Sequence, residues 1–222
     1  MSIISAVKSI WEGFDFSYIL SIIQSLIPAL VCITLHELSH GYTAYLLGDD
    51  TAKSRGRLTL NPIKHLDVMG LLMMLVFHVG WAKPVPVNPG NFKHPRRDIA
   101  LVSLAGPVSN FLLALVALFL YYPLRLAESS IVMTIALMLY MVAVMSIGLG
   151  VFNLIPVPPL DGSKILLSFL PRKYEWKFAQ YQQFIQFGLL ILLVLGVLNT
   201  PIRFFVNIIY QGLASIVLAV LG

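Results

Sequence analysis

The stretch ALVCITLHELSHGYTAYLL, residues 29–47, places ionisable side chains inside an apolar run that has the composition of a membrane helix. On a helix, His36 and His40 lie four residues apart on one face, where two imidazole nitrogens can share a metal ion. Glu37 lies beside them and is placed to take a proton from water at that metal. Ionisable groups at membrane depth are costly and are functional by default. The pattern therefore predicts a zinc site with Glu37 as its general base.

The composition of the whole chain also indicates a membrane protein. Of its 222 residues, 58% are hydrophobic and only 11% are charged, whereas soluble domains carry about a quarter charged residues. We expect an all-α polytopic membrane protein with four to six membrane helices. It forms one domain, residues 1–222, in which a catalytic core at about 19–170 precedes C-terminal helices at 178–221. The candidate helices are 19–47, 98–122, 131–155, 178–198 and 203–221, the last of which carries Asn207 and Gln211 and could cross the bilayer or lie in its interface.

The apolar run 69–79 is only about half as long as a spanning helix and is followed by a proline-rich segment. Such a run predicts a short re-entrant segment, here a β-hairpin-like one near the active site. Irregular backbone is tolerated at membrane depth where protein or a water-filled cavity satisfies it. We expect the hairpin, residues 69–87, to bind an unwound substrate segment by adding it as a strand. The candidate substrate-binding residues are Gly80, Trp81, Val85 and Val87.

Basic residues are distributed unevenly between the loops. Twelve of the 15 Lys and Arg residues lie in the segments 48–98 and 156–182, which a helical hairpin between them brings to one side of the membrane. The positive-inside rule makes that side cytoplasmic. We therefore expect a multi-pass protein of a bacterial-type plasma membrane whose active site faces the cytoplasm. The net charge of +5 is then a topological signal, and no nucleic-acid partner is expected.

A catalytic zinc ion needs a third protein ligand and keeps its fourth position for water. Asp161 is the preferred candidate, because it follows an apolar helix on the same side of the membrane as the histidines, and Gly162 lets the backbone turn there. Glu128 lies on the opposite side, and Glu175 lies in a lysine-rich stretch. Cys32, the only cysteine, allows no disulfide framework and is expected to be a buried packing residue. The weaker alternatives for the third ligand are His65, His78 and His94.

Three motifs together resemble the site-2 protease family of intramembrane metalloproteases. They are HELSH at 36–40, AGPVSN at 105–110 and NLIPVPPLDG at 153–162, and the resemblance extends over about 30–167. It implies that His36, His40 and Asp161 bind one zinc ion per chain and that Glu37 is the general base. GWAKPVPVN at 80–88 resembles the branch of the family that lacks regulatory PDZ and CBS domains.

Two asparagines in apolar helices have two interpretations each. Asn110 and Asn153 could form hydrogen bonds between helices, or they could stabilise the oxyanion or position the substrate.

The function implied by the resemblance is zinc-dependent hydrolysis of a peptide bond within or near the transmembrane segment of a membrane-anchored protein. The expected partners are that substrate and the lipid bilayer. The alternative is a membrane transport protein that moves metal ions or protons through the His/Asp cluster. Glu37 favours hydrolysis, because transport needs no base between two ligands.

Overall fold

The structure is a computed structural model that describes residues 16–67, 69–70 and 82–222, with side chains from residue 24 onward apart from position 172. This part of the chain is mostly helical. Its α-helices are α1 (Phe16–Leu46), α2 (Thr51–Ser54), α3 (Pro95–Leu124), α4 (Ser130–Asn153), α5 (Asp161–Phe169), α6 (Arg172–Val194) and α7 (Asn199–Leu221), and short 3-10 helices cover Pro62–His65 and Pro89–Asn91.

Three of the described helices, α3, α4 and α7, are long and apolar enough to cross a membrane. Helices α3 and α4 follow one another through a short connection and pack together as a hairpin, as the sequence predicts. Helix α7 fits a span by length and composition although it carries Asn207 and Gln211. The predicted helical membrane architecture is confirmed to this extent, and the number of four to six spans stays a prediction.

The five long helices all begin earlier than the apolar pattern predicts, by one residue in α4 to six residues in α6. Helix α3 begins at Pro95, because a proline suits the first helical position and the backbone N–H of His94 donates to Asp98 Oδ2 at 3.0 Å. Helix α6 begins at Arg172, before the apolar run at 178–198, because the polar residues in between also favour helix. Hydrophobic pattern locates the membrane-facing part of a helix rather than its ends.

The core between α3, α4 and α7 combines larger aliphatic side chains with three buried alanines, and such small residues let apolar helices approach closely. Ala114 and Ala117 of α3 form one buried cluster with Ala143 and Ile147 of α4 and Val217 of α7. Helix α1 packs on α3 and α4, and α5 packs on α3. Helix α3 is therefore the element against which both motif-bearing helices, α1 and α5, are positioned.

Of the predicted β-hairpin at 69–87, the part from 71 to 81, which includes Gly80 and Trp81, lies outside the described residues. Met69 and Gly70 are described and are helical, and no strand occurs in the parts of the chain that the structure covers. The described ends of this segment pair in a single antiparallel bridge between Leu66 and Ala82. Residues 83–88, which lie before α3 and include Val85 and Val87, have no regular secondary structure.

Candidate metal centre

His36 and His40 on α1 meet Asp161, the first residue of α5. Their Nε2 atoms are 3.0 Å apart. Asp161 Oδ2 lies 3.2 Å from His36 Nε2 and 3.0 Å from His40 Nε2. All three residues are buried, and together they form a group that could hold a metal ion. The tertiary structure thus brings a residue from α5 to two residues of α1 that lie far from it in sequence.

The size of this triangle of ligand atoms fits a zinc ion. Tetrahedral zinc with bonds of about 2.0–2.1 Å places neighbouring ligand atoms about 3.3 Å apart, and the three sides here are 3.0, 3.0 and 3.2 Å. Two imidazole nitrogens and one carboxylate oxygen are a suitable donor set for a zinc ion with three protein ligands. The residues present therefore fit the metal that the sequence predicts.

The tautomer of His40 follows from its contact with α3. Its Nδ1 lies 2.7 Å from the backbone carbonyl oxygen of Val102. Because a carbonyl oxygen only accepts hydrogen bonds, Nδ1 carries the proton and donates it. The Nε2 lone pair of the neutral ring is then free for the metal, and the Val102 carbonyl fixes the ring orientation.

Asn110 contacts His36, the second histidine of the triangle, at Nδ1, the ring nitrogen that faces away from the metal position. It is fully buried on α3, its Nδ2 lies 3.0 Å from His36 Nδ1, and its Oδ1 has no hydrogen-bond partner among the described residues. A metal at Nε2 requires the proton on Nδ1, and a half-turn of the amide lets Oδ1 accept that proton. This position suits Asn110 for orienting His36, whereas an oxyanion would form on the opposite side of the ring.

Asp161 reaches the histidines because α5 begins very close to the end of α4. A Cβ added to Gly162 would collide with the backbone carbonyl oxygen of Leu154, so only glycine allows this approach. The second carboxylate oxygen of Asp161, Oδ1, accepts a hydrogen bond from Lys164 Nζ at 3.3 Å. The carboxylate therefore divides its two oxygens between the metal position and a lysine one turn along α5.

Gly106 provides the space that both imidazole rings occupy. A Cβ at this position of α3 would lie 2.5 Å from His40 Nε2 and Cε1 and 2.6 Å from His36 Cε1. Carbon atoms in contact normally lie about 3.5–4.0 Å apart. The site thus requires glycine where α3 passes the histidines.

Glu37 is almost completely buried, with 9% of its surface exposed. Its Oε2 accepts a hydrogen bond of 2.8 Å from the backbone N–H of Val85, in the irregular segment 83–88. The carboxylate is therefore held in place by backbone from a distant part of the chain.

The remaining candidates lie away from the triangle. His65 is buried, and its Nε2 donates to the Thr59 carbonyl oxygen at 2.9 Å. His94 and Glu128 are exposed, and Glu175 pairs with Arg96 at 2.8 Å. His78 lies outside the described residues.

Two further sequence candidates bond to backbone. Asn153 donates through Nδ2 to the carbonyl oxygen of Leu149 in its own helix at 2.9 Å, so its predicted role in substrate positioning stays a prediction. Cys32 is buried, with Sγ 3.5 Å from the Val142 carbonyl oxygen on α4, in a packing position between helices.

Several contributors to the site were missed by reasoning from sequence. The Val102 carbonyl and the Val85 N–H are backbone groups, so the identity of the residue does not indicate their role. Gly106 and Lys164 are only weakly indicated by the sequence. Gly106 lies in the AGPVSN motif, and Lys164 follows Asp161 by three residues.

Comparison with known proteins agrees with this geometry. The model of peptidase family M50 matches residues 122–196, which include Asp161. YwhC of Bacillus subtilis (strain 168), which is named as a zinc metalloprotease, is 43% identical over 204 residues, 85% of this chain and 86% of its own. Rip2 of Mycobacterium tuberculosis (strain H37Rv), named likewise, is 33% identical over 187 residues, 82% of this chain and 69% of its own. No solved structure matches the chain significantly.

A helical fold with apolar, membrane-length helices and a His-His-Asp cluster beside a glutamate defines the class of membrane zinc metalloproteases. Within that class, the chain belongs to peptidase family M50, the site-2 protease family.

Proposed function

We propose that this chain is an intramembrane zinc endopeptidase that cleaves a membrane-anchored protein within or near its transmembrane segment. The observation that carries the proposal is the buried triangle of His36, His40 and Asp161, with Glu37 adjacent on the same helix. At about 1.5 Å per residue, His36 lies roughly 15 Å from Leu46, the last residue of α1. That distance is about half the thickness of the hydrocarbon core, which supports cleavage at membrane depth.

His36, His40 and Asp161 would hold the metal, and the contacts of Val102 and Asn110 would keep both imidazoles in the metal-binding tautomer. When bound there, zinc supplies Lewis-acid polarisation of the scissile carbonyl and makes water acidic enough to lose a proton near neutral pH.

Glu37 is the group placed to move the protons. It takes a proton from water as the water oxygen bonds to the carbonyl carbon. It then passes that proton to the amide nitrogen as the C–N bond breaks. The products are a carboxylic acid on one fragment and an amine on the other.

The transport alternative is not favoured. The relatives that match most of this chain are named as zinc metalloproteases. A carboxylate fixed beside the ligand pair by a backbone N–H has a use in hydrolysis and none in carrying an ion past the site.

A transmembrane substrate must unwind before its peptide bonds can react, since a helix hides them. Strand addition to the segment containing Val85 and Val87 remains our proposal for how the unwound part is bound. Pro84 and Pro86 lack an N–H, and the Val85 N–H already bonds Glu37. At 84–86 this segment could therefore offer a substrate only carbonyl acceptors.

We further propose that the site faces the cytoplasm in a multi-pass plasma-membrane protein and that residues 1–222 act as one domain. The support for this orientation is the concentration of basic residues in 48–98 and 156–182. Lys93→Cys in a Cys32→Ala background should react with an impermeant thiol reagent only after the membrane is permeabilised. Glu128→Cys, an exposed position at the other end of α3, should react in intact cells. The reverse pattern would overturn the orientation.

The proposed activity is tested by comparing the membrane proteomes of cells that hold the active protein or its Glu37→Gln variant. Uncut membrane-anchored proteins should accumulate with the variant, and their cleavage sites should map to transmembrane segments. A proteome without accumulated uncut proteins, or cleavage sites confined to soluble domains, would contradict intramembrane proteolysis. In parallel, His36→Ala should lose most of the bound zinc, whereas Glu37→Gln should retain it.

A further inference from the structure

The segment Pro84-Val85-Pro86 has one backbone N–H, and that group contacts the proposed general base. Proline has no backbone N–H, so Val85 alone can donate. It donates to Glu37 Oε2 at 2.8 Å, and both residues are buried.

The flanking prolines also restrict where this N–H can point. The ring of Pro86 disfavours helical conformations of the preceding residue, and the ring of Pro84 fixes its own φ angle. The Val85 side chain also packs closely on α1, since a Cβ added to Gly41 of that helix would lie only 2.9 Å from Val85 Cγ1. The backbone and the side chain of Val85 are both held against α1.

The longer segment 83–88, which contains Pro84-Val85-Pro86, is bound at both ends to buried polar groups of the rest of the protein. At one end, the backbone N–H of Lys83 donates to the His65 carbonyl oxygen at 2.9 Å, and Arg57 Nη2 donates to the Lys83 carbonyl oxygen at 2.7 Å. At the other end, the backbone N–H of Asn88 donates to Asp49 Oδ2 at 2.7 Å.

The Asp49 carboxylate is itself fixed. It is fully buried, and it also accepts hydrogen bonds from Thr51 and from Asn91 Nδ2. The segment 83–88 thus spans two anchored points, with the Val85 N–H between them.

We propose that the Val85 backbone N–H is the positioning group for Glu37, and that the segment Pro84-Val85-Pro86 holds this N–H in place. A glutamate side chain has three rotatable bonds, and an ordered carboxylate acts faster than one that samples several positions. Bonding Oε2 to the backbone leaves Oε1, which has no protein hydrogen-bond partner among the described residues, as the oxygen that faces water. This inference rests on the proposed role of Glu37 as general base.

The contact itself can be tested without any substrate. Protein labelled with carbonyl ¹³C in proline and ¹⁵N in valine gives amide signals only from Pro-Val pairs, of which the chain has four, ending at Val85, Val87, Val108 and Val157. Val85→Ala removes one signal and so assigns it. We expect Glu37→Ala to shift the Val85 proton signal upfield, away from its hydrogen-bonded position, while the other three move little. An unmoved Val85 signal would overturn the proposal, and it would leave the proteolytic function untouched.

The consequence for catalysis is tested by replacing the N–H with an ester oxygen. Incorporation of α-hydroxyvaline at position 85 removes this one donor. The matched control is α-hydroxyisocaproic acid at position 60, because Leu60 is an exposed residue outside the site and its N–H has no partner among the described residues. The probe is fluorescein-labelled casein, an unfolded polypeptide that needs no unwinding. A hydrogen bond to a charged group corresponds to roughly a ten- to hundredfold effect.

We therefore expect kcat of the position-85 ester to fall roughly ten- to hundredfold, with KM and zinc content as in the unmodified protein. The position-60 ester should retain wild-type kcat. Equal losses in both esters, an unchanged kcat at position 85, or a loss explained by KM or by missing zinc would overturn the positioning role. If no form of the protein cleaves casein or any membrane protein, the proposed function fails, whereas the spectroscopic result still stands.

Discussion

Replacing Gly106 by alanine should disrupt the metal site through a single added methyl group. The new Cβ would lie 2.5 Å from His40 Nε2 and 2.6 Å from His36 Cε1, against a normal contact of about 3.5 Å or more. One or both rings, or the whole of α1, must therefore move by about 1 Å. Metal–ligand distances tolerate changes of only about 0.2 Å. The displacement required is several times larger than the site can absorb.

We expect the affinity of Gly106→Ala for zinc to fall at least about a hundredfold, because even changes to groups behind the ligands cost about 10–100-fold. Zinc content is measured by mass spectrometry on purified protein, and affinity by competition with a chelator of known strength. Circular dichroism confirms that the helices remain.

The matched control is Gly148→Ala on α4, where an added Cβ meets nothing within 4 Å. It should keep wild-type zinc affinity, and it should be neutral or slightly stabilising because alanine favours helix by about 0.5–1 kcal/mol over glycine. If folded Gly106→Ala binds zinc as tightly as this control, the imidazoles do not occupy the space beside Gly106, and our description of the site is wrong.

Three further perturbations test other parts of the structure. Asn110→Ala should lower zinc affinity about 10–100-fold by freeing the ring it orients, whereas Asn207→Ala on the exposed face of α7 should not, as chelator competition will show. Burial favours the neutral acid at Asp49, but hydrogen bonds to its carboxylate outweigh burial and lower its pKa below the ordinary value. Its contribution to stability is therefore complete above about pH 4 and is lost as the pH falls further, so thermal melts of wild type and Asp49→Asn should differ at pH 7 and converge in strong acid. Gly150→Ala should destabilise the protein by about 1–3 kcal/mol without loss of zinc, because its Cβ would lie 2.7 Å from the Phe111 ring, and denaturant titration with zinc analysis measures both.

The sequence by itself determines the features that depend on neighbours along the chain. His36 and His40 share a helix face because four residues make about one turn, so their pairing needs no knowledge of the fold. The apolar lengths of α3, α4 and α7 likewise follow from composition. Asp161 could be selected from sequence, because it follows an apolar helix on the same side of the membrane as the histidines and Gly162 lets the backbone turn there. Its contact with the histidines, however, depends on α5 packing against α3.

Only the tertiary structure decides the groups that complete the site. The Val102 carbonyl and the Val85 N–H are backbone groups, which every residue carries. The packing of α3 and of the segment 83–88 on α1 decides that these groups, and not those of neighbouring residues, contact His40 and Glu37. Asn110 is visible in the sequence as a polar residue in an apolar helix, but whether it faces a substrate or His36 depends on the rotation of α3. Helical periodicity is encoded within a turn or two of chain, whereas contacts between distant segments arise only when whole helices are packed together.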